Sequence, residues 1–355
     1  MHHIKNISLL FIFLFTINIY GQDPPKELQA VRVTQAPKID GKLDDLVWQN
    51  APVARDFVMF RPGNGDPEPE DQKTEVKVIY NNSGIYIGAR MYDPEPDKIL
   101  RQLTERDNMG TTDFFGIGIN PNNDGQNEFE FFVTAAGVQL DAQVSPSNGE
   151  DFSWSEVWFS KISYDDKGWN VEIKIPYSAL RFSNEKNQIW GINFHRRIER
   201  KREQYTWNFV DKTKGQLSQY AGILTGISDI TPPTRLSFSP FSSVLIGNYD
   251  GVTDTDFAIG MDVKYGITDN FTLITTLIPD FSQVGFDNVT LNLGPFEQRF
   301  DEQRQFFIEG ADLLNKGNLF FSRRIGNRPV GYGDAEESLK VNEEAYDNPT
   351  QVDVL

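Results

Sequence analysis

The sequence contains no cysteine among its 355 residues, which excludes a disulfide framework, a thiolate nucleophile and any cysteine-ligated metal. Histidine is almost as scarce: two of the three, His2 and His3, stand at the extreme N-terminus, leaving His195 for the rest of the chain. Neither a zinc site of several histidines nor a serine–histidine arrangement drawn from several can be assembled from that set. Positive charge is in deficit, with 34 Lys and Arg against 51 Asp and Glu and a net charge of −17. A surface that acidic repels phosphate backbones and excludes nucleic acid as a partner. It suits hard cations such as calcium, or serves solubility alone. Beyond residue 22 there is no apolar run of the roughly 20 residues that a membrane-crossing helix needs.

The N-terminus has the layout of a secretory signal peptide. A short polar and basic start (His2, His3, Lys5) leads into an apolar run from Ile7 to Ile19, and the small Gly21 follows. Residues 1–21 are therefore expected to be removed, which makes this an exported protein of the outer membrane, periplasm or cell surface.

After residue 22 short runs with period-two alternation recur, separated by Gly, Asn, Asp and Pro. Strands are expected at 74–80, 84–92, 113–119, 128–134, 138–144, 157–164, 169–175, 189–197 and 205–210. Asn81-Asn82-Ser83-Gly84 marks a hairpin turn between the first two. Many short strands at regular spacing predict an all-β chain, an antiparallel β-sandwich over residues 22–230. Residues 61–73 are polar and proline-rich, and are expected to form an exposed loop. Thr231-Pro232-Pro233-Thr234 reads as a linker, because consecutive prolines end sheet pairing.

Over 235–330 longer strands follow, at 236–246, 256–265 and 270–278. Phe257, Ile259, Met261, Val263 and Tyr265 alternate with Ala258, Gly260, Asp262 and Lys264, as in the wall of a membrane barrel or in a soluble hairpin with one buried face. Three or four such strands do not close a barrel, which needs at least about eight. The polar tail 331–355 is therefore expected to precede further strands in a longer product.

Ile39-Asp40-Gly41-Lys42-Leu43-Asp44-Asp45-Leu46-Val47-Trp48 resembles the opening of carbohydrate-binding module family 9 domains. Residues 168–176 and 190–194 are similar to that family's ending. Residues 277–284 and 303–310 resemble a family of uncharacterised Bacteroidetes-type outer-membrane proteins, in which a family 9-like module precedes a large β-barrel. The resemblance implies a sugar-binding sandwich, often holding structural calcium, without catalysis of its own.

Sugars bind on flat aromatic faces, with polar groups taking the hydroxyls. Trp154 and Trp158, four apart at the start of a strand and on one face whether the segment is strand or helical turn, and Trp207 are the platform candidates, the alternative being core residues. Arg196 and Arg197 belong to a basic cluster over 195–202 that suits carboxylates or sulfates of an acidic polysaccharide, or else forms a hairpin tip paired with acids. Asn122, Asp124 and Glu128 are candidate calcium ligands in an oxygen-rich turn that also reads as a plain hairpin. Glu128 and Glu130 share a strand face and are the candidate catalytic carboxylates, should the chain be a glycoside hydrolase. His195 reads as structural. The expected function is capture, uptake or degradation of a polysaccharide or oligosaccharide at the cell envelope. The alternatives are a glycoside hydrolase, or its targeting part, and a structural outer-membrane protein.

Overall fold

A computed structural model describes residues 24–145, 149–152, 154–211, 217–249, 252–267, 271–278 and 338–339. The N-terminal segment 1–21 lies outside these residues, as does nearly all of the polar tail. In chain order the strands are β1 Glu27–Gln29, β2 Val31–Arg32, β3 Val53–Ala54, β4 Val58–Arg61, β5 Thr74–Asn81, β6 Gly84–Tyr92, β7 Phe114–Asn120, β8 Glu128–Thr134 and β9 Gln139–Ser145. There follow β10 Gly149–Asp151, β11 Phe159–Asp165, β12 Gly168–Pro176, β13 Asn187–Ile198, β14 Glu203–Thr206, β15 Gly222–Ser228, β16 Leu236–Tyr249, β17 Val252–Gly266 and β18 Thr272–Leu277. No helix among the described residues is long and apolar enough to cross a membrane.

Two sheets form a sandwich. One runs β1-β15-β13-β7-β8-β9-β10, with β14 on β13 and β4 on β14; the other runs β11-β12-β6-β5-β2, with β3 on β5. Pairing is antiparallel except where β1 meets β15 and β2 meets β5. Alternation decides what lies between the sheets. Phe115, Ile117 and Ile119 of β7, Phe129, Phe131 and Val133 of β8, and Ile192 and Phe194 of β13 meet Val76 and Val78 of β5, Ile85, Ile87, Ala89 and Met91 of β6, and Trp169, Val171, Ile173 and Ile175 of β12.

Each sheet is also covered on its outer side. Segment 39–51 lays Trp48 and Ala51 over Ile79 and Tyr86. On the nine-stranded sheet, Met109 and Phe152 pack on Phe114, Phe132, Val138 and Leu140. This double cover is why every residue of β7 and β8 is buried.

The expected loop over 61–73 is only partly exposed. Glu68 and Gln72 are buried; Glu68 Oε1 accepts the Phe57 N–H, and Gln72 Oε1 accepts from Lys201. Beyond Thr234, β16, β17 and β18 form a separate three-stranded antiparallel sheet. Leu236, Phe238, Val244, Phe257, Ile259, Tyr265 and Leu273 of this sheet are exposed. Paired as Leu236 with Tyr265, Phe238 with Val263 and Val244 with Phe257, they share one face.

Candidate functional site

The signature segment serves architecture. Gly41 has φ +86, and a Cβ there would stand 2.5 Å from the carbonyl carbon of Ile162, so only glycine fits. The turn points the Asp40 and Gly41 N–H groups at Glu172 Oε2, both at 2.9 Å, while Trp48 Nε1 donates to Glu172 Oε1 at 3.0 Å. The two stretches that resemble the family's opening and ending are thus tied together through one buried carboxylate.

None of the three tryptophans expected as sugar platforms faces solvent. Trp154 and Trp158 do share one side, but it is the core side. Trp154 packs at 5.2 Å from Phe129 and Trp158 at 5.4 Å from Phe131, and Trp158 Nε1 donates to Asp141 Oδ1 at 3.2 Å. Trp207 packs at 5.6 Å from Phe194. Trp48, Trp169 and Trp190 are buried as well.

The basic cluster is consumed by the fold. Arg196 is buried and donates to the carbonyls of Gln72, Lys73 and Tyr92. Arg200 forms a two-pronged pair with Asp93 at 2.7 and 2.8 Å, which holds that carboxyl below its usual range against the cost of its burial. Arg197 alone reaches a surface cleft.

The turn expected to hold calcium is capped internally. Asp124 Oδ1 accepts from Asn120 Nδ2, Gln126 N and Asn127 N at 2.9, 2.8 and 3.2 Å, and Asn122 is exposed. Glu128 does not join them: its carboxylate lies along the sheet over Gly118, grouped with Glu130 and His195.

That group marks a cleft of about 310 Å³ on the outer side of the nine-stranded sheet. Its floor follows from register. In one row His195 pairs with Gly116 and Gly116 with Phe132; in the next Asn193 pairs with Gly118 and Gly118 with Glu130. Two glycines on β7 thus make room for side chains of β8, the Phe132 ring over Gly116 and the Glu128 carboxylate over Gly118, between β8 and β13, strands roughly 10 Å apart. Phe60 and Arg61 of β4 and Gln204 of β14 form one wall, Glu150 and Phe152 the other. The Arg61 guanidinium lies 4.7 Å from the Phe60 ring centre, and Arg197 Nε pairs with Glu199 Oε2 at 2.7 Å.

Electrostatics at the floor are uncompensated. Burial, then the charge of Glu150, pushes the Glu128 carboxyl up to about 7. Burial, then Glu128 and Glu150, holds Glu130 well above the usual carboxylate range. Burial, with Arg61 second, pushes His195 down to about 4, so its imidazole is neutral at physiological pH. Glu128 and Glu130 stand side by side on one strand. A glycosidase instead sets two carboxylates across a scissile bond, so the expected catalytic pair lacks that arrangement. The residues that sequence reasoning missed are Phe60, Arg61, Glu150, Phe152 and Gln204, which come from segments far apart in the chain.

One rim residue is anchored by a titrating group: Asp113 Oδ1 accepts the Glu199 N–H at 2.9 Å. Burial pushes the Asp113 carboxyl from 3.8 up to about 6. The folded state therefore holds this proton more tightly than the unfolded chain. The stability it contributes is full below pH about 4 and is lost as pH rises through about 6. Ionising such a group in place costs roughly 3 kcal/mol. In Asp113→Asn, which keeps the acceptor, the fall in stability between pH 4 and 7 is expected to shrink by up to that amount. Urea unfolding at pH 4, 5, 6 and 7 checks it; identical slopes for both proteins would refute it.

Residues 232–355 match a domain of unknown function, DUF5916. Two solved structures of a carbohydrate binding module family 9 from Caldicellulosiruptor kristjanssonii are similar to the chain at 18% identity and a TM-score of 0.40. In the complex with cellotriose the match covers 57% of this chain and 96% of that one; in the complex with glucose it covers 59% and 100%. No curated protein matches the chain. The family model for the carbohydrate family 9 binding domain-like proteins matches residues 39–216, half of the chain, with β3 to β14 and the segment closed on Glu172 inside those bounds: the chain belongs to that family.

Proposed function

We infer that this protein binds a neutral oligosaccharide in the cleft between β4, β8, β10, β13 and β14, without cleaving it, as a capture module of the cell envelope. The observation that carries this reading is the cleft: at about 310 Å³ it falls at the lower end of ligand-pocket sizes. Phe60, Phe114, Phe132 and Phe152 supply apolar wall, and Arg61, Arg197, Gln204 and Glu150 supply donors and acceptors, the mixture that a sugar ring requires. Acidic residues offset the two arginines, so a neutral glycan fits better than a sulfated or carboxylated one. Family membership over residues 39–216 supports the same reading.

The envelope assignment rests on the signal-like residues 1–21 and on the exposed apolar face of β16, β17 and β18. Such a face suits the lipid side of a barrel wall completed by further strands. Fractionation of cells is expected to place the protein in the outer membrane; recovery in the cytoplasm would refute that part.

Isothermal titration against neutral and acidic oligosaccharides tests the binding. A neutral ligand is expected to bind, and Phe152→Ala and Gln204→Ala each to weaken it about tenfold, the worth of one ring contact or one hydrogen bond. Affinity unchanged in both variants would place the sugar elsewhere and sink the proposal.

A further inference from the structure

Beneath the cleft, the geometry points to a binding site for a divalent first-row transition ion of the zinc class, formed by Glu128, Glu130 and His195. One ligand atom from each of the three lies within 4.8 Å of the others, and all three residues are buried. In a tetrahedral site with bonds near 2.0–2.2 Å, ligand atoms stand about 3.5 Å apart. Two polar atoms of these residues lack a partner: Glu130 Oε2 and His195 Nε2 are sealed from solvent and have no hydrogen-bond partner. Their residues are 1% and 3% exposed. Leaving such atoms unpaired is costly, and buried polar groups almost always have partners.

The surroundings fit a cation. The charges acting on Glu128 and Glu130 are those of neighbouring carboxylates, with no lysine or arginine among them; the one cation acting on the group is Arg61, through His195. Glu150, on the adjacent wall, acts electrostatically on both glutamates but stands outside the group of three, so water would complete the coordination. Gly118 makes the convergence possible: a Cβ there would come within 2.0 Å of Glu128 Oε1. Gly116 in turn makes room for the Phe132 ring, which a Cβ there would meet at 2.4 Å. Donor chemistry selects the ion, since an imidazole nitrogen with carboxylates suits zinc, cobalt and their neighbours, whereas calcium and magnesium take oxygen alone. The site stands whether or not the cleft above it takes a sugar.

The test uses the full chain, stripped with a chelator, and adds Zn²⁺, Co²⁺ or Ca²⁺ alone, with no glycan present. One Zn²⁺ per chain is expected to bind. Co²⁺ should show visible ligand-field bands with nitrogen coordination, and Ca²⁺ should not compete. With ¹⁵N-labelled histidine, the His195 ring resonance, assigned by its loss in His195→Gln, is expected to move on Zn²⁺ addition. Glu130→Gln and Gly118→Ala, each checked for folding by circular dichroism, should weaken Zn²⁺ by more than the roughly 10–100-fold that loss of a supporting partner costs. An unmoved His195 resonance in the folded wild-type chain overturns the site: the two carboxyls then share a proton instead. Binding of Ca²⁺ in preference to Zn²⁺ overturns it too.

Discussion

Glu172→Ala is expected to lower the stability of the sandwich by about 3–5 kcal/mol, a large part of the 5–15 kcal/mol typical of a folded domain. The side chain is fully buried and accepts three hydrogen bonds, from Asp40 N, Gly41 N and Trp48 Nε1. Burial raises its carboxyl and these donors pull it back, burial being the larger effect. The carboxylate is therefore held at a cost that only the donors offset. Alanine removes the acceptor and strands two backbone N–H groups and an indole N–H. Each such orphan costs about 1–3 kcal/mol, less where water can enter. The loss spreads, because Trp48 and Leu43 close over Gly88, whose Cα the Trp48 ring approaches so nearly that a Cβ would sit 3.2 Å from it. Glu172→Gln can satisfy the two backbone donors but turns its amide nitrogen towards the indole N–H, so a smaller loss of about 1–3 kcal/mol is expected. Urea midpoints of the three proteins decide the matter. A loss below about 1 kcal/mol for alanine would show that the signature segment is held by its apolar contacts instead.

Much of this architecture was readable as period. The strands expected at 74–80, 84–92, 128–134 and 169–175 match β5, β6, β8 and β12 to within a residue or two at each end. In these elements long alternating runs of β-branched and aromatic residues meet clear turn chemistry. The elements passed over, β1 to β4 and β10, are two to four residues long, too short for any period to show. β15 was passed over as well; its glycines at 222 and 226 interrupt the apolar alternation.

The site was legible only in pieces, and for a specific reason. Spacing suggests that Trp154 and Trp158 share a side, as alternation does for Glu128 and Glu130; it does not show which side faces the second sheet. For the tryptophans that side is the core. For the glutamates it is the outer face, which a soluble sheet would hydrate but which Met109 and Phe152 help to cover. Nothing local in Glu128 or Glu130 announces that cover. The one legible sign is the pair Gly116 and Gly118 within an apolar strand, a mark of close approach, here by side chains of the adjacent strand.

Arg196 carries the second large effect. Its substitution separates a structural role from the sugar-binding role that its sequence context suggests. Nη1 donates to Gln72 O, Lys73 O and Thr74 Oγ1 at 2.5, 3.1 and 3.2 Å, and Nη2 to Tyr92 O at 2.6 Å. One guanidinium therefore clamps the segment before β5 and the end of β6 to β13. Burial pushes the group down to about 10, while Glu68, Asp113 and Asp93 hold its charge, so it remains a cation at neutral pH. Arg196→Met fills the space yet takes the donor from the Gln72 and Tyr92 carbonyls, Lys73 O keeping the Tyr92 N–H, and leaves nearby carboxylates without their buried counter-charge. A loss of about 3–5 kcal/mol is expected, as for removing one partner of a buried ion pair. Arg196→Lys keeps the charge, but a single ammonium cannot reach both sets of carbonyls, and about half that loss is expected. Because the clamp faces the core side and not the cleft, the folded Arg196→Lys protein should bind a neutral oligosaccharide as the wild type does. Chemical unfolding and titration of the same two samples read both quantities. Lost sugar affinity at unchanged stability would return Arg196 to the binding surface and refute its assignment as a clamp.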